Sequence, residues 1–118
     1  MALYRRFEVH HHGDVAEIRF VDSELSDLEI HDQLTGELVS FAEAETPSKV
    51  VVNMAAVKYC TSGAIGGLLS LRKVVTEHGG VVRVCEASTG VRMTFQSLNL
   101  DGTLFKVDES LEDALGQF

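Results

Sequence analysis

Long hydrophobic runs, tryptophan and disulfide patterns are what this sequence lacks. Its 118 residues include no tryptophan, one proline and two cysteines. Every apolar run is broken by a charge or a glycine well before the roughly eighteen residues that a membrane span needs, so no span is predicted. Cys60 and Cys85 each lie in an apolar, strand-like run and belong to no CxxC or Cys/His cluster. This placement predicts buried, reduced thiols.

Basic residues are also few. Ten lysines and arginines stand against eighteen acids, which gives a net charge of -8. Such a chain repels the phosphate backbone of DNA and RNA, so nucleic acids are not expected as partners. The acidic balance fits either a partner with a basic face or the ordinary solubility requirement of a cytoplasmic protein. The segment 1–6 has no apolar run and no small-residue cleavage pattern behind it, so we expect no signal peptide and a cytoplasmic location.

Motifs of catalysis and of metal or nucleotide binding are missing as well. The sequence contains no GxxxxGK[ST], GxGxxG, GxSxG or HExxH pattern. His10, His11 and His12 follow one another, and consecutive residues of a strand point to opposite faces, so they cannot converge on one ion. We expect them to be solvated at a hairpin tip. No catalytic residue, metal ligand or cofactor is therefore predicted.

The apolar residues that are present alternate between strand and helix periods. Segments 3–9 and 16–20 alternate apolar and polar residues around a Gly13 turn, which predicts a hairpin. Ile30, Leu34, Leu38 and Phe41 then recur at helical spacing, with Ser26 or Asp27 available as a cap. Segment 49–54 is a continuous apolar run, typical of a strand that is buried on both faces.

The second half of the chain repeats this alternation. We predict a helix from Ser62 that ends at Gly79–Gly80, a strand over 81–85, and a helix from Ser88 to Leu98 with its apolar residues Val91, Phe95 and Leu98 on one side. A short strand over 104–107 and a helix capped by Ser110 follow. The order β-β-α-β-α-β-α-β-α predicts an α/β fold. It has a four- to five-stranded, mostly parallel sheet, an antiparallel N-terminal edge strand and about four helices, in one domain over 1–118.

The segment 53–69 ends a buried strand and begins a helix at Ser62. In an open α/β sheet, ligands and partners are usually met at this junction. The N-H groups and the dipole of the helix start attract an anion, and Gly63, Gly66 and Gly67 let another molecule come close to the backbone. Serine is equally a common helix cap, and glycines ease helix packing. Spacing alone leaves the structural and the functional interpretation open.

The same segment resembles the signature of the STAS family, the sulfate transporter and anti-sigma factor antagonist domains. That signature runs roughly D-L-S-G-V-x-Y-I-D-S-[SA]-G-L-G-x-L-L. The matching or similar positions are Asn53, Met54, Val57, Tyr59, Ser62, Gly66, Leu68 and Leu69. The order of elements and the Gly79–Gly80 turn also agree, so the resemblance covers nearly the whole chain and implies the STAS fold.

The resemblance implies a non-enzymatic regulator whose Ser62 is phosphorylated by a kinase that is also the anti-sigma factor. The unphosphorylated form binds that kinase. Here Thr61 replaces the family's aspartate, which makes Thr61 the second choice for phosphorylation. The family also places acids in the loop before the first helix, and the predicted binding face therefore comprises Asp22, Ser23, Glu24, Asp27, Thr61, Ser62, Gly63 and Gly66.

Two other functions remain open at this point. Free-standing domains of the family also serve as cytoplasmic subunits of membrane transporters, without entering the membrane themselves. The helix-start pocket could instead bind a small ligand. A weak homodimer is compatible with each of the three hypotheses.

Overall fold

The computed structural model describes residues 4, 6–21, 24–25, 28–60, 62–98 and 105–118, with the backbone alone at 24–25, 28–31, 59–60 and 62. Its strands are β1 (Phe7–His12), β2 (Val15–Phe20), β3 (Glu24–Leu25), β4 (Lys49–Asn53), β5 (Tyr59–Cys60), β6 (Val81–Cys85) and β7 (Lys106–Asp108). Its helices are α1 (Leu28–Glu45), α2 (Ser62–Glu77), α3 (Thr89–Ser97) and α4 (Leu111–Gly116).

Five strands form the main sheet, in the order β1-β2-β4-β6-β7. The β1 and β2 strands are antiparallel, and the other neighbours are parallel. The hairpin turns at Gly13, whose φ of 63° lies in the left-handed region that glycine adopts without strain. The predicted mixed α/β sheet with an antiparallel edge is confirmed.

The two faces of the main sheet are covered differently. Alternate residues of β2, β4 and β6, such as Ile18, Val52 and Val84, join α1, α2 and α3 in the larger apolar core. On the opposite face, which we call the outer face, Val15, Val51 and Cys85 pack against Ala114 of α4. This division follows from the period of two along a strand, which sends neighbouring side chains to opposite faces.

Local sequence explains where the helices begin and end. The Ser88 hydroxyl accepts from the N-H of Val91 at 3.3 Å, and the Ser110 hydroxyl caps α4 in the same way. The turn after α2 uses Gly79 at a φ of 80°. The shared side predicted for Val91, Phe95 and Leu98 does not bury Leu98. It lies at the end of α3 with 41% of its surface exposed, because only Val91 and Phe95 of this helix face the core.

Candidate partner-binding site

Two short strands that carry no periodic pattern bring the predicted binding segments together. β3 pairs in parallel with β5, with Glu24 beside Tyr59 and Leu25 beside Cys60. Glu24 and Leu25, shortly before α1, therefore run alongside Tyr59 and Cys60, shortly before α2. The sequence predicts only a loop over 55–61, because a two-residue strand is too short to show an alternation.

Helix α2 begins at Ser62, as predicted, and continues for sixteen residues. Its first turn contains no acidic residue. The positive end of the helix dipole and the first N-H groups are therefore not already neutralised by a side-chain carboxylate from that turn. An anion at residue 62 would meet a favourable field.

The glycines of α2 divide between two roles. Gly63 and Gly66 are exposed, and a Cβ added at Gly66 would meet nothing within 4 Å. A Cβ on Gly67 would lie 2.9 Å from Thr35 Oγ1 of α1. The expectation that Gly67 lets another molecule come close to the backbone is therefore wrong, because Gly67 is buried where α1 and α2 approach each other. Gly66 offers bare backbone to the outside.

Several predicted site residues cannot be placed. Asp22, Ser23, Asp27 and Thr61 lie outside the described residues, as does the alternative cap Ser26. Glu24 and Ser62 are placed by their backbone, at β3 and at the start of α2. The structure thus brings Glu24, Ser62, Gly63 and Gly66 to one region through the β3–β5 pair.

The connection from β4 to Ser62 is anchored at its first turn. The N-H of Met54 donates to the carbonyl of Cys85 at 2.9 Å, and the N-H of Val57 donates to the carbonyl of Met54 at 3.0 Å. The side chains of Met54 and Val57 are almost completely buried. The Asn53 side chain closes the turn, because its Oδ1 accepts from the N-H of Ala55 at 2.9 Å.

Sequence reasoning missed a polar cluster on the outer face, which we call the Glu17 cluster: His12, Glu17, Arg19 and Asn53. The Glu17 side chain is fully buried. Its carboxylate accepts from His12 Nε2 at 2.6 Å, from Asn53 Nδ2 at 2.9 Å, and from both Nε and Nη2 of Arg19. An acid in the middle of a strand whose neighbours are apolar was the available signal.

The predicted solvation of the three histidines is therefore wrong for His12. The strand extends through this residue, and the turn follows at Gly13. His12 shares a face with His10 and with Glu17, since the register places His10 opposite Glu17. About a third of the His12 side chain is exposed, and its ring forms a hydrogen bond with the buried carboxylate of Glu17.

Hydrogen bonding keeps Glu17 ionised in spite of its burial. Burial by itself raises the pKa of this carboxyl, but the donors Arg19, His12 and Asn53 outweigh it and lower the pKa to about 2. Burial has the opposite outcome at Cys85, where it raises the pKa of the thiol to about 12, aided by Glu86. Cys85 therefore stays a protonated thiol in the core.

A cleft of about 310 Å³ opens beside the Glu17 cluster. It lies where β2 and β4 end and is lined by Glu8, Arg19, Phe20, Val21, Asn53, Ala55 and Ala56. Its walls thus include the first turn of the connection to Ser62. Within the described ranges, no group of three or more His, Cys, Asp or Glu side chains is arranged to hold a metal ion. No helix in the same ranges is both long and apolar enough to span a bilayer.

Comparison of the chain with known protein families finds a match. The family model described as "STAS domain" matches residues 6–114. A search of curated proteins finds no relative whose sequence matches.

Solved structures share the fold at low sequence identity. An anti-sigma-factor antagonist (STAS) domain protein from Planctomyces limnophilus is 23% identical, with 94% of this chain and 95% of that chain covered and a TM-score of 0.82. SpoIIAA, a Bacillus cell fate determinant solved in its phosphorylated form, is 19% identical, with 94% and 97% covered and a TM-score of 0.67. The murine anion transporter Slc26a9 is 12% identical over 92% of this chain and 18% of its own, with a TM-score of 0.70.

Proposed function

Because the chain belongs to the STAS domain family, we propose that it is a non-enzymatic regulatory module of the anti-sigma factor antagonist type, acting in the cytoplasm. Its partner is an anti-sigma factor with serine-kinase activity, or a related signalling protein. The binding face comprises the loop around Glu24, the start of α2 at Ser62, and the exposed backbone at Gly63 and Gly66.

The pairing of β3 with β5 is the observation that carries this proposal. It holds Glu24 and Leu25 beside the strand that leads into α2, although Glu24 and Tyr59 are far apart in sequence. A partner that approaches Ser62 therefore meets both segments. Exposed apolar surface lies nearby in sequence, since Val21, just before this loop, is 52% exposed.

Phosphorylation of Ser62 fits the electrostatics of the helix start. A phosphate brings about -1.5 to -2 charges and three acceptor oxygens. The first turn of α2 has no carboxylate to oppose it. The phosphate would therefore stabilise the helix locally while changing the charge of the surface that the partner contacts.

Ser62→Ala is expected to abolish phosphorylation, because it removes the hydroxyl that accepts the phosphoryl group. The measurement is incubation with each anti-sigma kinase of the source organism and labelled ATP, followed by mapping of the modified residue. Thr61→Ala is the matched control and is expected to keep labelling at Ser62. If Ser62→Ala changes neither labelling nor capture of any of these kinases, the proposed function is wrong.

Gly66→Ala and Gly67→Ala are expected to separate binding from folding. Alanine at Gly66 enters open space and stabilises the helix by about 0.5–1 kcal/mol, yet it puts a methyl group between the partner and the backbone and weakens capture. Alanine at Gly67 brings the same helix gain but pushes on Thr35, so the free energy of unfolding falls by a net amount of up to about 2 kcal/mol. Chemical denaturation and a kinase-capture assay on both variants measure the two effects. Equal capture by Gly66→Ala and the wild type would remove Gly66 from the face.

A transporter accessory is the second candidate. It is favoured by the match to Slc26a9, where the matched region is a small part of an anion transporter. Co-purification with a membrane permease, unaffected by Ser62→Ala, would select this function over signalling.

A further inference from the structure

Every lone-pair position of the buried Glu17 carboxylate is occupied. It accepts four hydrogen bonds, from His12, from Asn53 and twice from Arg19. An ionised carboxylate offers about four acceptor positions and no donor. Each neighbouring group must therefore donate an N-H to this carboxylate.

Because Glu17 accepts only donors, it fixes the orientation of the Asn53 amide. Its NH₂ group faces Glu17 at 2.9 Å, so its carbonyl oxygen must point the other way. That oxygen accepts from the N-H of Ala55, also at 2.9 Å. The charge on Glu17 thus decides, through one side-chain amide, whether the turn after β4 has an acceptor for Ala55.

The turn is the first part of the connection to α2. Met54 and Val57 fix it to β6 and to the core, and β5 and Ser62 follow directly. The family signature has aspartate where this chain has Asn53. An aspartate there would oppose Glu17 with a second carboxylate, whereas asparagine supplies the donor that Glu17 needs.

Stability alone is a weak reason to bury such a charge. Well-packed apolar residues often replace a buried ion pair without loss of stability, whereas breaking a single partner is costly. A carboxylate does impose one orientation on an amide, which an apolar side chain cannot do.

We propose that Glu17 is a positioning residue, which acts through Asn53 to set the turn 54–57 and thereby the start of α2. The inference rests on the proposed function in taking α2 as the binding face.

A charge-relocation cycle on the full-length chain tests the relay by NMR, without any partner. In Glu17→Gln, we expect the amide oxygen to take the place of Oε1, which accepts from His12 and from Arg19 Nη2, and the NH₂ to take the place of Oε2, which accepts from Asn53 and from Arg19 Nε. The partly exposed Arg19 then gives up its Nε bond, the Asn53 amide flips, and Ala55 loses its acceptor. We expect hydrogen exchange of the Ala55 amide to accelerate at least tenfold and the amide resonances of residues 62–66 to shift.

The double variant Glu17→Gln/Asn53→Asp should restore the wild-type pattern. The carboxylate introduced at position 53 can accept both from the amide introduced at position 17 and from the N-H of Ala55, which re-forms the turn with the charge moved to the neighbouring strand. Asn53→Asp alone places two carboxylates in contact and is expected to lower stability. The control is Asp14→Asn. Asp14 lies in the turn of the β1–β2 hairpin and forms an exposed ion pair with Lys49 at the start of β4. Its loss should leave the Ala55 exchange rate and the resonances of residues 62–66 unchanged.

Two results would overturn the inference. One is Ala55 exchange and residue 62–66 resonances in Glu17→Gln that match the wild type. The other is a double variant that folds but does not restore them. Should Glu17→Gln fail to fold, the comparison of the double variant with the wild type still decides. These readouts need no kinase, so a failure here leaves the Ser62→Ala test of the proposed function intact.

Discussion

Ser62→Glu is expected to weaken binding of the kinase-type partner about 100-fold, equivalent to about 2.8 kcal/mol. The proposed encounter brings the residue 62 hydroxyl against the transferring phosphate of a bound nucleotide. A carboxylate at that position meets like charge and is desolvated without a counter-ion, which typically costs several kcal/mol at an interface. The measurement is the Kd of each anti-sigma kinase loaded with a nucleotide, by calorimetry or fluorescence.

Ser40→Glu is the matched control for this prediction. Ser40 is exposed on α1, twelve residues and about 18 Å beyond the start of that helix, and the substitution adds the same charge. Equal losses of affinity in both variants would show that the net charge of the domain acts, rather than the position of residue 62. An unchanged Kd for Ser62→Glu would exclude the helix start from the interface.

Glu17 is expected to make the fold sensitive to acid. Its folded-state pKa of about 2 lies below the ordinary value of 4.5, so ionised Glu17 stabilises the fold above about pH 4.5. That stabilisation is lost as the pH falls from about 4.5 toward 2, where the folded carboxyl protonates. We expect it to amount to about 2 kcal/mol, a figure that allows for the partial exposure of Arg19 and His12.

Denaturant unfolding at pH 7 and at pH 3 checks this expectation. Glu17→Gln should be less stable than the wild type by about 2 kcal/mol at pH 7, and the difference should shrink at pH 3. Asp14→Asn is the control, since Asp14 is an exposed carboxyl of the same hairpin. A difference between Glu17→Gln and the wild type that stays constant from pH 7 to pH 3 would contradict the lowered pKa.

The proposed site and the cleft beside Arg19 and Asn53 lie at the same end of the sheet. β2 and β4 are parallel, and both carboxyl ends adjoin the cleft that includes Ala55 and Ala56. Crevices at the carboxyl ends of parallel strands are the usual binding places of open α/β sheets.

Local pattern was sufficient for the order of the helices and of the five strands of the main sheet, and for the start of α2. Strand alternation, helical spacing and capping residues act within a few positions, so Ser62, Ser88 and Ser110 could be recognised from their neighbours alone. The family resemblance then identified Ser62 among ordinary helix caps. Its phosphorylation and its partner stay predictions.

Tertiary structure decided what these positions can do together. The β3–β5 pair joins segments far apart in the chain, and its strands are too short to leave a period. The hydrogen bond from Asn53 to Glu17 spans 36 positions. Gly66 and Gly67 are indistinguishable by sequence, yet one faces open space and the other faces Thr35. Contacts between distant segments depend on register and helix packing, and for that reason the sequence determined where the site begins but not what holds it.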